Sequence, residues 1–198
     1  MNIQGFTTTI LPIALSPGAS LTLAMSNAAI VGHKGALKVI IGTAIGIFVH
    51  SVLVGMGISR LIVQNHTVFN VLQICGIAFL GWLGIKLLLA GLKPAKEVQL
   101  KAKLVGVRDA FFLNVFNVKA FVLYVTVVPL FAGKSLDSYL GLSSIHIAIM
   151  AVWTYFCCYL FCVANRKFTI SVVAKVVNLL GGISLLYIAC HTAFSLAG

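Results

Sequence analysis

Six stretches of this chain, at about residues 5–30, 38–60, 67–92, 107–132, 139–164 and 169–195, are apolar over lengths that soluble helices rarely sustain. At a rise of ~1.5 Å per residue, each crosses the ~30 Å hydrocarbon layer of a bilayer as a helix. Inside that layer the backbone has no water to bond to, so each segment must satisfy its own polar groups, which a helix does. Composition agrees: the 198 residues are 61% hydrophobic and 9% charged, where a soluble domain carries roughly a quarter charged residues. The expected fold class is an all-α integral membrane protein of six transmembrane helices. Short polar links leave room for no soluble domain, so residues 1–198 are expected to form a single transmembrane domain. The first segment is too long for a signal peptide and has no basic residue before it.

The net charge is +11, and its distribution decides its meaning. Lys34, Lys38, Lys93, Lys96, Lys101, Lys103, Arg108, Arg166, Lys167 and Lys175 flank alternate links, whereas the opposite side holds Arg60 and Lys134. The positive-inside rule then places both termini outside and the basic links in the cytoplasm. These cations report topology and contact with anionic membrane lipid, not a nucleic-acid partner. Lys86 lies close enough to the cytoplasmic end of its helix to snorkel.

Lys119 differs from all of them. It lies eleven residues past Arg108, ~16 Å deep at helical rise and near the bilayer midplane. An ionisable group at that depth is costly and marks a functional site by default. Three other features fall in the same layer. Ser16, Pro17 and Gly18 interrupt the first segment, His50 lies within the second, and Asn114 and Asn117 stand one turn apart before Lys119. Proline removes a helix hydrogen bond and glycine is a weak helix former. A broken helix frees amides and carbonyls, and its restarted half presents a positive dipole end suited to a carboxylate. Ser16, Pro17, Gly18, Asn114, Asn117 and Lys119 are therefore the candidate solute-binding residues. His50 is the candidate proton-coupling group, because its ordinary pKa is near neutrality. The asparagines and His50 also have a plainer reading as interhelical hydrogen-bonding groups.

Three helices followed by three leave the two halves, about 1–98 and 99–198, in opposite orientations. GIAFLGWLGIKLLLAG (76–91) aligns with GISLLYIACHTAFSLA (182–197) at Gly76/Gly182, Ile77/Ile183 and Leu80/Leu186. The first and fourth helices, with their polar interruptions, then correspond. A 3+3 inverted repeat with midplane sites between broken helices is a transporter pattern.

LSPG, then GHKGALKVIIGTAIGIFVHSVLVGMG (32–57), GIAFLGWLGIKLL (76–88) and FLNVFNVKAFVLYVTVVPLF (112–131) carry a resemblance along the whole chain. The chain resembles the LysE/RhtB family of bacterial amino-acid exporters. The resemblance implies a six-helix, multi-pass protein of the bacterial inner membrane. It further implies expulsion of amino acids by proton antiport, with a homodimer as one assembly open to it. Three departures from the family pattern stand out. The family's Pro-Gly-Pro is Pro17-Gly18-Ala19 here, and its Asn-Pro-Lys is Asn117-Val118-Lys119, which weakens the expectation of a break in the fourth helix. An acidic residue common in the second helix is replaced by Ile47, which argues against a cationic substrate. The valine and the missing acid look like the cysteine/O-acetylserine branch, and LSPG with the His50 stretch like the homoserine/threonine branch. A small neutral amino acid fits both.

The chain's acids, Glu97, Asp109 and Asp137, lie away from the midplane, so no embedded carboxylate relay is expected. Cys75, Cys157, Cys158, Cys162 and Cys190 form no CxxC pair and read as small apolar fillers. His33, His66, His146 and His191 are scattered, and no metal or cofactor site is expected. Glycines 42, 46, 55 and 57 suit close helix packing. No phosphate-binding loop suggests ATP as the energy source, and nothing suggests an enzyme. A secondary exporter is the leading reading. A membrane thiol-electron carrier would need a facing cysteine pair, and a passive channel or structural subunit would have no use for Lys119.

Overall fold

A computed structural model describes residues 1–64, 66–92, 104–133, 135–163 and 168–197, with side chains at all of these except 58–64, 66, 69, 168–174 and 195–197. Among the described residues every regular element is a helix, and none is a strand. The helices are α1 (Ile3–Leu15), α2 (Ala19–Val31), α3 (Ala36–Gln64), α4 (His66–Leu92), α5 (Val107–Val115), α6 (Val118–Val122), α7 (Pro129–Ala132), α8 (Leu136–Val163) and α9 (Phe168–Ala197). A 3-10 turn at His33–Gly35 precedes α3, and a π turn at Leu123–Val127 joins α6 to α7. Four spans are long and apolar enough to cross a membrane alone; two bent pairs, α1 with α2 (50°) and α5 with Val118–Ala132 (54°), raise this to six if each pair is one span.

Both bends have local causes. Pro17 offers no amide hydrogen and drives the residue before it out of the helical region. Ser16 accordingly sits at φ −63°, ψ 132°, and Gly18 is extended at φ −136°, ψ −174°. The second break forms without a proline. Asn117 leaves the helical region at ψ 108°, and its Oδ1 accepts from the Lys119 amide, so the asparagine caps the restarted helix. Further on, Pro129 cannot bond back to Val125, and the turn before it widens: the Val128 amide reaches the Leu123 carbonyl five residues back.

After α2 the chain reverses at Gly32, whose φ of 78° and ψ of 176° suit glycine almost alone. Asn27 locks this corner. Its Nδ2 donates to the carbonyls of Gly35 and Val105, and its Oδ1 accepts from the Val105 amide. Fully buried, it joins α2 to the residues leading into α5.

The buried side chains form two apolar clusters. One gathers Phe6, Ile10 and Ile13 of α1 with Leu80, Leu123, Tyr124, Leu142 and Leu185. The other gathers Leu21, Ala24 and Ala28 of α2 with Val39, Ala110, Cys158 and Phe161. α4 and α9 form the most extensive helix pair. There Gly84 and Gly182 bring the backbones together: a Cβ on Gly84 would lie 3.1 Å from the Gly182 carbonyl oxygen, and one on Gly182 2.9 Å from that of Gly84. α3 meets α5 through Gly42 and Gly46, four residues apart on one face. Gly42 lies against the Val107 carbonyl and Ala110, and Gly46 against Asn114. Gly55 packs on Leu136 and Tyr139, but Gly57 faces open space, so packing accounts for three of the four glycines singled out in this helix. Leu53, Met56, Trp82, Ile85, Val152, Tyr187 and Phe194 point outward, an apolar belt that would be costly in water and is at rest in lipid.

Lys86 is outward-facing, but its Nζ lies 4.7 Å from the ring centre of Trp82 one turn before it, so the side chain leans back along α4 and not toward the helix end to which a snorkelling lysine is expected to reach. Lys93, Lys96, Glu97, Lys101, Lys103, Lys134, Asn65, Arg166 and Lys167 lie outside the described residues, as do the side chains of Arg60 and His66.

Candidate functional site

The two breaks meet. In an unbroken helix the Ile13 carbonyl would accept from the amide of residue 17, and Pro17 has none. Ser16 Oγ donates to that carbonyl at 2.8 Å, and Lys119 Nζ donates to it at 3.2 Å across 106 residues of sequence. Lys119 Nζ also donates to Ser16 Oγ at 2.7 Å. An ammonium has three hydrogens, so one remains for another acceptor. The second break is served in the same way. The Asn114 carbonyl takes the Asn117 amide at 3.0 Å and His50 Nε2 at 3.2 Å. A carbonyl only accepts, so His50 Nε2 carries the hydrogen and Nδ1 is the basic nitrogen.

A cavity of about 100 Å³ opens at this junction, where the two apolar clusters adjoin. Ser16, Gly18, Asn114, Asn117 and Lys119 line it, with Ser20, Thr43, His146 and Thr154 adding polar groups and Ile13, Ile47, Leu123 and Met150 apolar wall. The start of α2 faces it through Gly18, Ala19, Ser20 and Leu21, and no side chain caps that helix. Four amides therefore open a 13-residue helix toward the lysine, a combination that attracts an anion. Asn114 is 5% exposed, and its Oδ1, buried against Gly46, has no hydrogen-bond partner. Among the described residues no carboxylate lines the cavity. Asp109 is spent on the start of α5, where Oδ2 accepts from the Gly106 amide at 3.0 Å, and Asp137 begins α8. A partly buried ammonium without a counter-charge calls for an anionic group.

Five of the candidate solute-binding residues thus share one cavity wall. Pro17 and His50 are not among the lining residues. Pro17 acts on the backbone, and His50 lies behind Asn114, stacked on Tyr124 at 5.9 Å between ring centres. His146, one of the histidines read as scattered, is in the cavity wall and bonds to Tyr124. A polar stripe on α8, His146 and Thr154 eight residues apart on one face, was the signal for it. Cys157 and Cys158 are buried in apolar packing, Cys75 and Cys190 face outward, and these thiols are free, as is Cys162. Among the described residues no group of His, Cys, Asp or Glu could hold a metal ion.

The helices and their polar seam define the class: a multi-pass membrane protein with a solute-sized cavity between two interrupted helices. The family model of LysE type translocators matches residues 11–196, and the chain belongs to that family, a multi-pass protein of the bacterial inner membrane. An uncharacterized membrane protein of Vibrio cholerae serotype O1 is 31% identical over 157 residues, 74% of this chain and 75% of that protein. The homoserine/homoserine lactone efflux protein of Salmonella typhimurium is 33% identical over 123 residues, 60% of this chain and 59% of that protein. The cysteine/O-acetylserine efflux protein of Escherichia coli O139:H28 is 32% identical over 130 residues, 65% of each chain. The matches to these two efflux proteins thus span less than two thirds of their length. No solved structure matches the chain.

Proposed function

We propose that this protein is a secondary-active exporter that moves small neutral amino acids or their derivatives, of the homoserine, threonine and cysteine class, out of the cytoplasm at the expense of the proton gradient. The carrying observation is Lys119, an ammonium without a lining counter-charge that bridges the two helix breaks beside the uncapped start of α2. The solute carboxylate takes the third Lys119 hydrogen and the α2 amides. Its amino group goes to Asn117 or to carbonyls freed by the break at Pro17, with Ala14 among the lining residues there. The names of the two efflux relatives support the substrate class, and the cavity of about 100 Å³ suits a short side chain.

In this reading the domain comprises six spans in two inverted halves, about 1–98 and 99–198. The bends of 50° and 54° in the first and fourth spans support that correspondence. His50 carries the coupled proton on Nδ1, one residue layer behind the cavity.

The test is efflux of preloaded amino acids from cells that overproduce the protein, wild type beside Lys119→Met, with and without an uncoupler, after both are shown to reach the membrane. Wild type is expected to speed the exit of homoserine, threonine or cysteine only when energised, and Lys119→Met to lose at least nine-tenths of that rate, about the loss of one charge-assisted contact. Full export by Lys119→Met would remove the lysine from the mechanism.

A further inference from the structure

The cavity wall holds polar groups on α8 that the proposed carboxylate and amine contacts leave unused. His146 and Thr154 lie on the face of α8 that lines it, with Met150 between them. His146 is buried, and its Nδ1 lies 3.1 Å from Tyr124 Oη. The two rings stack with centres 6.0 Å apart, and His50 lies on Tyr124 in turn. Tyr124 is itself fully buried in the π turn five residues after Lys119. This packing fixes the imidazole plane. With Nδ1 occupied, Nε2 is the polar atom the ring has left for the cavity.

A neutral imidazole has one donor and one acceptor nitrogen, and a phenol can take either role toward Nδ1. Nε2 can therefore offer a hydrogen or accept one. A hydroxyl group on the solute satisfies it in both states. A methyl group satisfies it in neither and displaces water from it without replacement. Among the other wall residues, Ile47, Leu123 and Met150 are apolar and offer a side-chain hydroxyl nothing, Thr43 Oγ1 is already bonded to Ser20 Oγ at 3.3 Å, and Thr154, on the same helix as His146, adds one further hydroxyl.

We infer that His146, held in place by Tyr124, reads a hydroxyl on the solute's side chain, so that the cavity prefers short hydroxy amino acids to their apolar isosteres. The inference rests on the amino-acid reading of the cavity given above. It assigns a specificity role to two residues outside the carboxylate and amine contacts.

The experiment is counterflow in proteoliposomes of the full-length protein, which needs no energy source. Vesicles loaded with one unlabelled amino acid take up its labelled form, and two isosteric pairs are compared: homoserine with norvaline, and threonine with valine. Wild type is expected to exchange the hydroxy member about tenfold faster, the scale on which an unmet polar group discriminates. His146→Leu brings both ratios toward one. Tyr124→Phe keeps the ring stack but loses the hydroxyl, and lowers the ratios in part; His146→Gln restores some preference. A residue that only supports the fold slows both members of a pair alike. Unchanged ratios in His146→Leu would therefore overturn the inference, as would equal exchange of the isosteres by wild type. If His146→Leu does not insert, an unchanged ratio in Tyr124→Phe overturns it. Failure of the underlying reading looks different: wild type then exchanges none of the four amino acids and no cysteine either, and both proposals fall together; exchange of cysteine alone overturns the hydroxyl inference and leaves the exporter reading standing.

Discussion

His50 bonds across a helix break and is the proposed proton carrier, and the two roles can be separated. Its Nε2 hydrogen closes the broken turn at Asn114, while Nδ1 stays basic. Glutamine in its place can still donate to that carbonyl but cannot carry a proton near neutral pH. His50→Gln is therefore expected to keep counterflow within about threefold of wild type and to lose uncoupler-sensitive efflux. Undiminished energised efflux would leave His50 a purely interhelical group. Asn27 poses the opposite case, a buried amide with every group satisfied and no exposure to the cavity. Leucine there leaves the Val105 amide and two carbonyls without their partner, at a cost of about 1–3 kcal/mol for each buried group left unpaired. Asn27→Leu is expected to lower the melting temperature in detergent and the yield of inserted protein, with the solute preference of the surviving fraction intact.

At the scale of elements, the two breaks were unequally legible. Pro17-Gly18 announces its own interruption. Asn117-Val118-Lys119 lacks a proline, yet the helix breaks there as sharply, because asparagine is a strong N-cap and its side chain takes the amide two residues on. The helix ends were plain from hydropathy: the segment expected at about 38–60 is α3, Ala36–Gln64, and the one at about 139–164 is α8, Leu136–Val163. The π turn was not anticipated, although Pro129 inside an apolar run was its signal. His146 escaped because its partner, Tyr124, is 22 residues away in sequence, and such pairing exists only once helices pack. Two substitutions test the elements. Pro17→Ala returns an amide that can bond to Ile13 and so competes with Lys119 for that carbonyl. It is expected to raise the melting temperature by a few degrees and to reduce transport about tenfold or more, as the break closes. Gly46→Ala puts a Cβ 2.7 Å from Asn114 Oδ1 and 2.9 Å from its Cβ. Overpacking of that kind costs about 1–3 kcal/mol, so thermal melting should fall and transport with it; an unaltered melt would mean that α3 and α5 can separate freely.

On the scale of the whole molecule, orientation follows from charge and from the lysine's job together. In the proposed inverted arrangement, a carrier with one lysine at the junction of its two halves must expose that junction to each side in turn, and the inversion makes the two exposures near-equivalent. In that arrangement the bent spans stand first in each half, and α4 and α9, which pair across Gly84 and Gly182, are the third helix of each. What distinguishes the sides is then the flanking charge. In the proposed six-span arrangement, Lys34 and Lys38 at the start of α3, Arg108 at the start of α5 and Lys175 in α9 fall on the side opposite both termini. Lysines near the surface of an anionic leaflet gain roughly 1 kcal/mol each, and translocating them is disfavoured. Both termini are therefore expected outside the cytoplasm. A periplasm-dependent phosphatase fused after residue 197 should be active, and one fused after Lys38 inactive. Replacing Lys34 and Lys38 with glutamine should blur the contrast only partly, because Arg108 and Lys175 remain to hold the same side. The reverse pattern, an active fusion after Lys38 and an inactive one after residue 197, would turn the molecule over in the membrane. The start of α2 and Lys119 would still converge on the same cavity, but the basic links would then lie on the side from which the solute leaves.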